Sequence, residues 1–197
     1  MSTITGGSRF SYPFITIGTQ IWSTKNLDVS TYRNGDPIPQ VTDPIQWLNL
    51  TTGAWCYYNN DPANGAIYGK LYNGYAVTDS RGLAPQGGWH IPTLTEWNTL
   101  STYLGGDAIA GGKMKETGTT HWNSPNTGAT NSSGFTGLPG GINLNTEGGE
   151  FDEINIGGYW WTSDRNNFIT LQYDDSYRGS NNGFGSNFGL SVRLIKN

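Results

Sequence analysis

Few of the 197 residues are of kinds that do covalent chemistry, and their spacing excludes most of it. The two histidines, His90 and His121, and the single cysteine, Cys56, form no HExxH or CxxC pattern for zinc. His90 lies between Trp89 and Ile91 just ahead of a predicted helix and reads as a structural hydrogen-bonding residue. Cys56, within Trp55-Cys56-Tyr57-Tyr58, has no neighbouring base to make a thiolate and reads as a buried, inert thiol. Gly111-Gly112-Lys113 lacks the glycine spacing and following Ser or Thr of a phosphate loop, and no GxSxG elbow occurs. Glu147, Glu150, Asp152 and Glu153 could supply a carboxylate pair for glycoside hydrolysis or oxygens for calcium, and so could Asp174-Asp175. A solvated acidic loop is the simpler reading of both. No catalytic residue or metal ligand is therefore assigned, the chain is read as a non-enzyme, and no cofactor is expected. Calcium has no motif behind it.

The stretch with a distinct chemical character is Asp164 to Gly189. It is rich in Asn, Ser, Gly, Asp, Tyr and Phe and holds two Arg, with no Lys, Glu, Pro, Ala or Trp. Antibody contact loops have a similar mix, in which aromatics give area with few rotors and Ser, Gly and Asn give adaptable hydrogen bonds. Phe168, Tyr173, Tyr177 and Phe184 are the candidate aromatic contacts, and Arg165 and Arg178 the charged ones. Asn166, Asn167, Asn181, Asn182 and Asn187 are the polar contacts, with Asp164 and Asp175 beside them. Composition alone leaves two readings open, a binding face or a long polar surface loop.

Two framework strands must hold that stretch. Gly157 to Ser163 is aromatic, and Gly189 to Ile195 alternates, so each reads as a strand. Upstream, Ile15 to Trp22 reads as two short strands around a Gly-containing turn, and Met1 to Phe14 as a loose lead-in. Asp43 with Pro44 predicts a short helix to Leu50, Ala54 to Tyr58 an aromatic strand, and Asn59 to Gly65 a loop. Tyr68 to Val77 presents one helical face, weakened by Gly74. Thr93 and Glu96 form a capping box for a helix carrying Leu94, Trp97, Leu100 and Leu104, ended by Gly105-Gly106. Short strands are predicted over Gly112 to Lys115 and Gly134 to Leu138, and a loop over Asn143 to Asp152. Trp22, Trp89, Trp97, Phe135 and one of Trp160 or Trp161 are the candidate core.

The totals narrow the partners. Net charge is -4 and 13% of residues are charged, which disfavours nucleic acid and an anionic membrane surface. The 29 glycines and 13% aromatic content suit a loop-rich single domain over residues 15–197 better than a helical bundle. The N-terminus lacks signal-peptide character, and no apolar run approaches the ~20 residues of a membrane span.

Several ordered motifs carry a resemblance. They are Gln20-Ile21-Trp22, Lys25-Asn26-Leu27, Tyr68-Gly69-Lys70-Leu71-Tyr72-Asn73, Gly88-Trp89-His90-Ile91-Pro92-Thr93 with Glu96-Trp97, and Ala110-Gly111-Gly112-Lys113-Met114-Lys115. Further on come Trp122, Asn126 and Gly128 to Asn131, Ser133-Gly134-Phe135, Leu138-Pro139-Gly140-Gly141, Gly158-Tyr159-Trp160-Trp161-Thr162-Ser163, and Gly189-Leu190-Ser191-Val192-Arg193. Together they resemble the Fibrobacter succinogenes major paralogous domain family. The resemblance implies an α+β, C-type-lectin-like fold, a small twisted antiparallel sheet with two helices and long loops, whose N- and C-terminal strands pair. It also implies a cell-surface, extracellular or phage-virion setting, with a cell-surface protein or glycan as macromolecular partner. Some members are variable proteins of diversity-generating retroelements, in which adenine-directed mutagenesis rewrites codons near the C-terminus. The alternative is a structural module of a phage tail or surface appendage. Leu194 stands where the family often has Cys. The Glu-Pro-Asn and Trp-Asn-Asp motifs of calcium-dependent lectins are absent, and one cysteine cannot supply the paired cysteines of the related formylglycine-generating enzymes.

Overall fold

The computed structural model describes residues 12–164 and 166–196. β1 (Phe14–Ile17) turns at Gly18 into β2 (Gln20–Ser23), and four cross-strand pairs close the hairpin. Of the predicted lead-in, residues 1–11 lie outside the described residues, while Phe14 already belongs to β1. α1 (Pro44–Leu48) starts as its sequence predicts, with Asp43 accepting from the Gln46 N–H and Pro44 in the first turn.

The next segment departs from expectation. After β3 (Trp55–Cys56) the chain makes a 3-10 turn at Tyr58–Asn60 and enters α2 (Pro62–Tyr68), where a loop over Asn59–Gly65 was expected. The cause is a second Asp-Pro start, with Asp61 accepting from the Ala63 N–H. The expected helix over Tyr68–Val77 is instead β4 (Leu71–Asn73) followed by the one-turn α3 (Gly74–Val77). Asn73 forces the change, because its side chain caps α3 and also binds the Ala54 N–H and the Thr52 carbonyl.

β5 (Trp89–His90) leads into α4 (Leu94–Tyr103), whose capping box forms as predicted. Thr93 Oγ1 accepts from the Glu96 N–H at 3.2 Å, and Glu96 Oε2 accepts from the Thr93 N–H at 2.7 Å. His90 has the structural role expected of it, with Nε2 2.7 Å from Glu96 Oε1. The predicted strand over Gly112–Lys115 falls mostly inside α5 (Asp107–Met114), and Gly134–Leu138 forms no named strand, only a single bridge between Lys115 and Gly137. Asp107 in the first turn and Lys113 in the last suit the helix dipole.

β6 (Gly140–Asn143) and β7 (Phe151–Ile154) pair across residues 144–150, so the loop predicted over Asn143 to Asp152 is shorter and Asp152 and Glu153 lie in β7, and β8 (Gly157–Trp161) is the predicted aromatic strand. The stretch Asp164 to Gly189, for which no strand was predicted, contains β9 (Asn167–Gln172) and β10 (Arg178–Asn182). The predicted final strand is split into β11 (Gly189–Leu190) and β12 (Ile195–Lys196). Among the described residues the fold is mixed α+β, with five helices and twelve strands in three antiparallel sheets ordered β1-β2-β12-β5, β10-β9-β8 and β3-β4-β11-β6-β7.

Residues 189–196 join all three sheets. β11 pairs with β4 and β6, Ser191 bridges to Trp160 of β8, and β12 pairs with β2 and β5. That traverse is why the segment cannot be one strand. Trp22, Trp97, Phe135 and Trp160 are fully buried against one another, with Trp22 and Trp97 ring centroids 4.7 Å apart and Phe135 edge-on to Trp160 at 6.0 Å. Both Trp160 and Trp161 are core residues, not one of the two. Adjacent strand residues face opposite ways, so Trp160 joins the cluster under α4 while Trp161 joins Tyr72 and Leu190.

Glu96 ties β5 to α4 through His90 and Thr93. Burial works to raise its pKa, but hydrogen bonds from Thr93 and His90 together hold it below the ordinary 4.5. Its ionised form therefore contributes stability above that ordinary value and loses the contribution as pH falls through the folded pKa. Glu96→Gln is expected to cost about 1 kcal/mol at neutral pH, and the gap to wild type should close in acid. Urea titrations of both proteins at several pH values test this. A gap independent of pH would refute it.

Candidate functional site

The candidate contact residues fall on the β9–β10 hairpin and its flanks. The register pairs Arg178 with Leu171, Gly179 with Thr170, Ser180 with Ile169, Asn181 with Phe168 and Asn182 with Asn167. Paired residues share a sheet face. Ile169 and Leu171 point into the core under α4, while Phe168, Thr170 and Gln172 take the opposite face beside Tyr159 and Trp161 of β8.

The turn of the hairpin, residues 173–177, is seated on α5. The Gly112 N–H donates to the Ser176 carbonyl at 3.0 Å. A Cβ on Gly111 would lie 2.4 Å from the Tyr177 carbonyl oxygen, and one on Gly112 2.4 Å from that of Gly128. The glycine pair is thus a backbone socket. Lys115, fully buried, completes it: Nζ donates to the carbonyls of Thr127 (3.0 Å), Gln172 (2.8 Å) and Asp175 (2.7 Å). Burial pulls its pKa down to about 8, against the opposing charges of Asp175 and Asp174.

Arg178 does not act as an exposed contact. It is 2% exposed, its Nε donates to Asp107 Oδ1 at 3.0 Å, and its Nη2 donates to Asn98 Oδ1 at 2.9 Å, locking β10 to both long helices. Phe168 is likewise buried, beneath Phe184 in a parallel stack at 4.1 Å that Phe188 extends at 4.4 Å. Asn187 is consumed internally. Its Nδ2 donates to the carbonyls of Leu48 and Leu50, and its own carbonyl accepts from Trp47 Nε1 at 2.6 Å. These three candidates belong to the framework because each is engaged by partners elsewhere in the fold, Arg178 through Nε and Nη2, Asn187 through its amide, and Phe168 through the stack with Phe184.

The remaining candidates form two groups. Asp164, Asn166, Asn167, Asn181, Asn182 and Phe184 gather at the open end of the hairpin, where Asp164 also accepts from the Leu94 N–H at the start of α4. Tyr173, Asp175 and Tyr177 lie at the turn end, with Tyr177 51% exposed and its N–H bonded to Asp175 Oδ1 at 2.8 Å. The length of β9, ~3.4 Å per residue, puts the two groups ~17 Å apart. Arg165 lies outside the described residues.

Sequence reading missed Tyr159, Thr170, Gln172 and Phe188, all half-buried on or beside the face of Phe168. The alternation from Phe168 to Gln172 was the available signal. Gln172 Nε2 donates to Tyr159 Oη at 3.0 Å, and burial, then the Glu153 carboxylate, push the Tyr159 phenol up to about 12. The face therefore offers amides, hydroxyls and aromatic edges.

Elsewhere, burial raises the Cys56 thiol to about 12, which suppresses the thiolate. His121 Nδ1 meets Glu116 Oε2 at 2.8 Å. Among the described residues no three His, Cys, Asp or Glu side chains converge as a metal site requires.

Two substitutions separate framework from face. Gly111→Ala is expected to unseat the turn and cost about 1–3 kcal/mol, with faster amide exchange at 174–177. Arg178→Met should cost about 2–3 kcal/mol, the loss of a charge-assisted network whose Asp107 partner stays partly solvated. Urea unfolding with hydrogen exchange measures both, and neutral outcomes would contradict the framework assignment.

No curated protein and no solved structure matches the chain. A family does, over the whole span from the first hairpin to the last strand: the Fibrobacter succinogenes major domain matches residues 15–196, and the chain belongs to that family.

Proposed function

We propose that this chain is a non-catalytic recognition protein, in which a C-type-lectin-like scaffold displays the exposed residues of the Asp164–Asn187 segment to a macromolecular partner at a cell surface. The partner is a surface protein or glycan, and the setting is a bacterial surface or phage virion. One observation carries the reading. Within a single hairpin, the exposed amide, hydroxyl and aromatic side chains are distinct from the buried ones that fix its backbone. Asn166, Asn181, Asn182 and Tyr177 are open to solvent, whereas Phe168, Ile169, Leu171 and Arg178 are closed off. Such a division lets contact residues change while the fold persists, as diversification of the segment by a retroelement would require. A contact surface of this kind depends on a few central residues more than on area.

A fixed structural or assembly module is the second reading. It is favoured by Asp164, Asp175 and Asn187, whose side chains satisfy neighbouring backbone groups and so resemble stability positions.

The DNA beside the gene tests the first reading. It should hold a near-copy of the segment encoding Tyr159 to Leu194, differing only at adenines in the copy, next to a reverse-transcriptase gene. The differences should fall at codons such as those of Asn166, Tyr177, Asn181 and Asn182 and spare Ile169, Leu171 and Gly179. Absence of a copy would favour the fixed module. At the protein level, Tyr177→Ala should weaken partner binding while shifting unfolding free energy by no more than ~0.5 kcal/mol. A larger loss of stability with unchanged binding would place Tyr177 in the framework.

A further inference from the structure

The chain has four Asn-Gly pairs: Asn34-Gly35, Asn64-Gly65, Asn73-Gly74 and Asn182-Gly183. Such a pair can react with itself, because glycine has no Cβ to keep its backbone nitrogen away from the preceding side-chain amide. The reaction needs that nitrogen free of a hydrogen bond, the asparagine side chain free to swing onto it, and a backbone able to adjust.

Three of the pairs are held out of this geometry at both groups. The Gly35 N–H donates to Tyr32 O at 2.9 Å, and Asn34 Oδ1 accepts from the Asp36 N–H at 3.0 Å. Gly65 lies inside α2 with its N–H on Asp61 O, and Asn64 Nδ2 donates to Tyr58 O at 3.1 Å. The Gly74 N–H donates to Ser186 O at 2.7 Å, and the buried Asn73 amide is bonded to Ala54, Ala76 and Thr52. Asn182-Gly183 differs in each respect. Asn182 is exposed at the end of β10, and among the described residues neither its side chain nor the Gly183 N–H has a hydrogen-bond partner. Gly183 sits at φ +111, with no atom within 4 Å of where a Cβ would be.

We propose that Asn182-Gly183 is a site of spontaneous chemical modification, the one Asn-Gly pair that deamidates in the folded protein. The Gly183 nitrogen, losing its proton, attacks Asn182 Cγ. A C–N bond forms, and the side-chain nitrogen leaves as ammonia, giving a cyclic imide. Water then adds at either imide carbonyl and opens the ring to aspartate or to isoaspartate. No electrons are transferred, and solvent water is the only co-reactant. The product places a carboxylate at the open end of the hairpin, and the iso form adds a methylene to the main chain where β10 ends.

The test compares the folded full chain with the same chain in guanidinium, both incubated at mildly alkaline pH and mapped by peptide mass spectrometry with isoaspartate detection. In the denatured chain all four pairs should convert at comparable rates. In the folded chain Asn182 should keep that rate. The other three should slow by on the order of tenfold or more, since even a local opening costing ~1.4 kcal/mol lowers the reactive population tenfold. Asn182→Gln should remove the early acidic species on ion exchange without changing the melting temperature. The proposal is overturned if another pair matches Asn182 in the folded chain, if folding slows Asn182 as much as the rest, or if the acidic species persists in Asn182→Gln.

Discussion

Arg193 is a fully buried guanidinium, and among the described residues none of its hydrogen-bond partners is a carboxylate. Taking such an ion out of water costs several kcal/mol, and here the return comes from backbone. Nη1 donates to Ser23 O (3.0 Å) and Phe135 O (3.1 Å), Nη2 donates to Thr136 O (3.2 Å), and the guanidinium lies 4.3 Å from the Phe135 ring centroid. Burial lowers its pKa to about 9, which still leaves it charged at neutral pH. Those acceptors belong to β2 and to the 135–136 loop, and Arg193 itself lies on the segment that crosses all three sheets. Its Nη1 and Nη2 find these acceptors only when the parts are all in place, so the interaction couples the sheets into one cooperative unit.

Lys115 repeats the device beneath the candidate site, and the choice of cation follows the acceptors. At Lys115 three carbonyls, from the Thr127 loop, the end of β9 and the hairpin turn, converge on one point, which suits a compact ammonium with three donors. At Arg193 the acceptors spread across a plane facing an aromatic ring, which suits a fork that can also stack. Arg178 makes the third such link, using Asp107 and Asn98 to fix β10. Because most of these bonds end on main-chain oxygens, they depend little on the identity of nearby side chains. A hairpin fixed through its backbone can therefore tolerate varied residues at its exposed positions.

The parts of the fold legible in the sequence are those set by neighbours in the chain. Asp43-Pro44 and Thr93-x-x-Glu96 mark helix starts because cap and capped group lie within one turn. Asp61-Pro62 carries the same signal, but the Asn and Gly around it favour a loop reading. Helix α5 is obscured by Gly111-Gly112, each costing about 1 kcal/mol of propensity, and survives because those glycines admit the hairpin turn. β10, Arg-Gly-Ser-Asn-Asn, has almost no strand propensity and is held by its register with β9 and by Arg178. The same limit governs the site. Composition locates the segment, yet Phe168, Arg178 and Asn187 look like their exposed neighbours until Phe184, Asp107 and the Leu48–Leu50 carbonyls are brought to them.

If the hairpin serves as the contact face proposed above, the value of this arrangement is that ordering is completed at folding. The turn end is bonded to α5, and residues 184–188 are held by the stack on Phe168, the Gly74–Ser186 hydrogen bond and Asn187, so little of their entropy remains to be lost on association. The arrangement also restricts which positions can change freely. A Cβ at Gly179 would lie 2.0 Å from Thr170 Oγ1, so the branched side chain at 170 is compatible with β10 only because 179 is bare. Exposure alone therefore does not define a variable position. Thr170 is partly open to solvent but sterically coupled across the pair, whereas Asn181, paired across from the buried Phe168, projects into solvent.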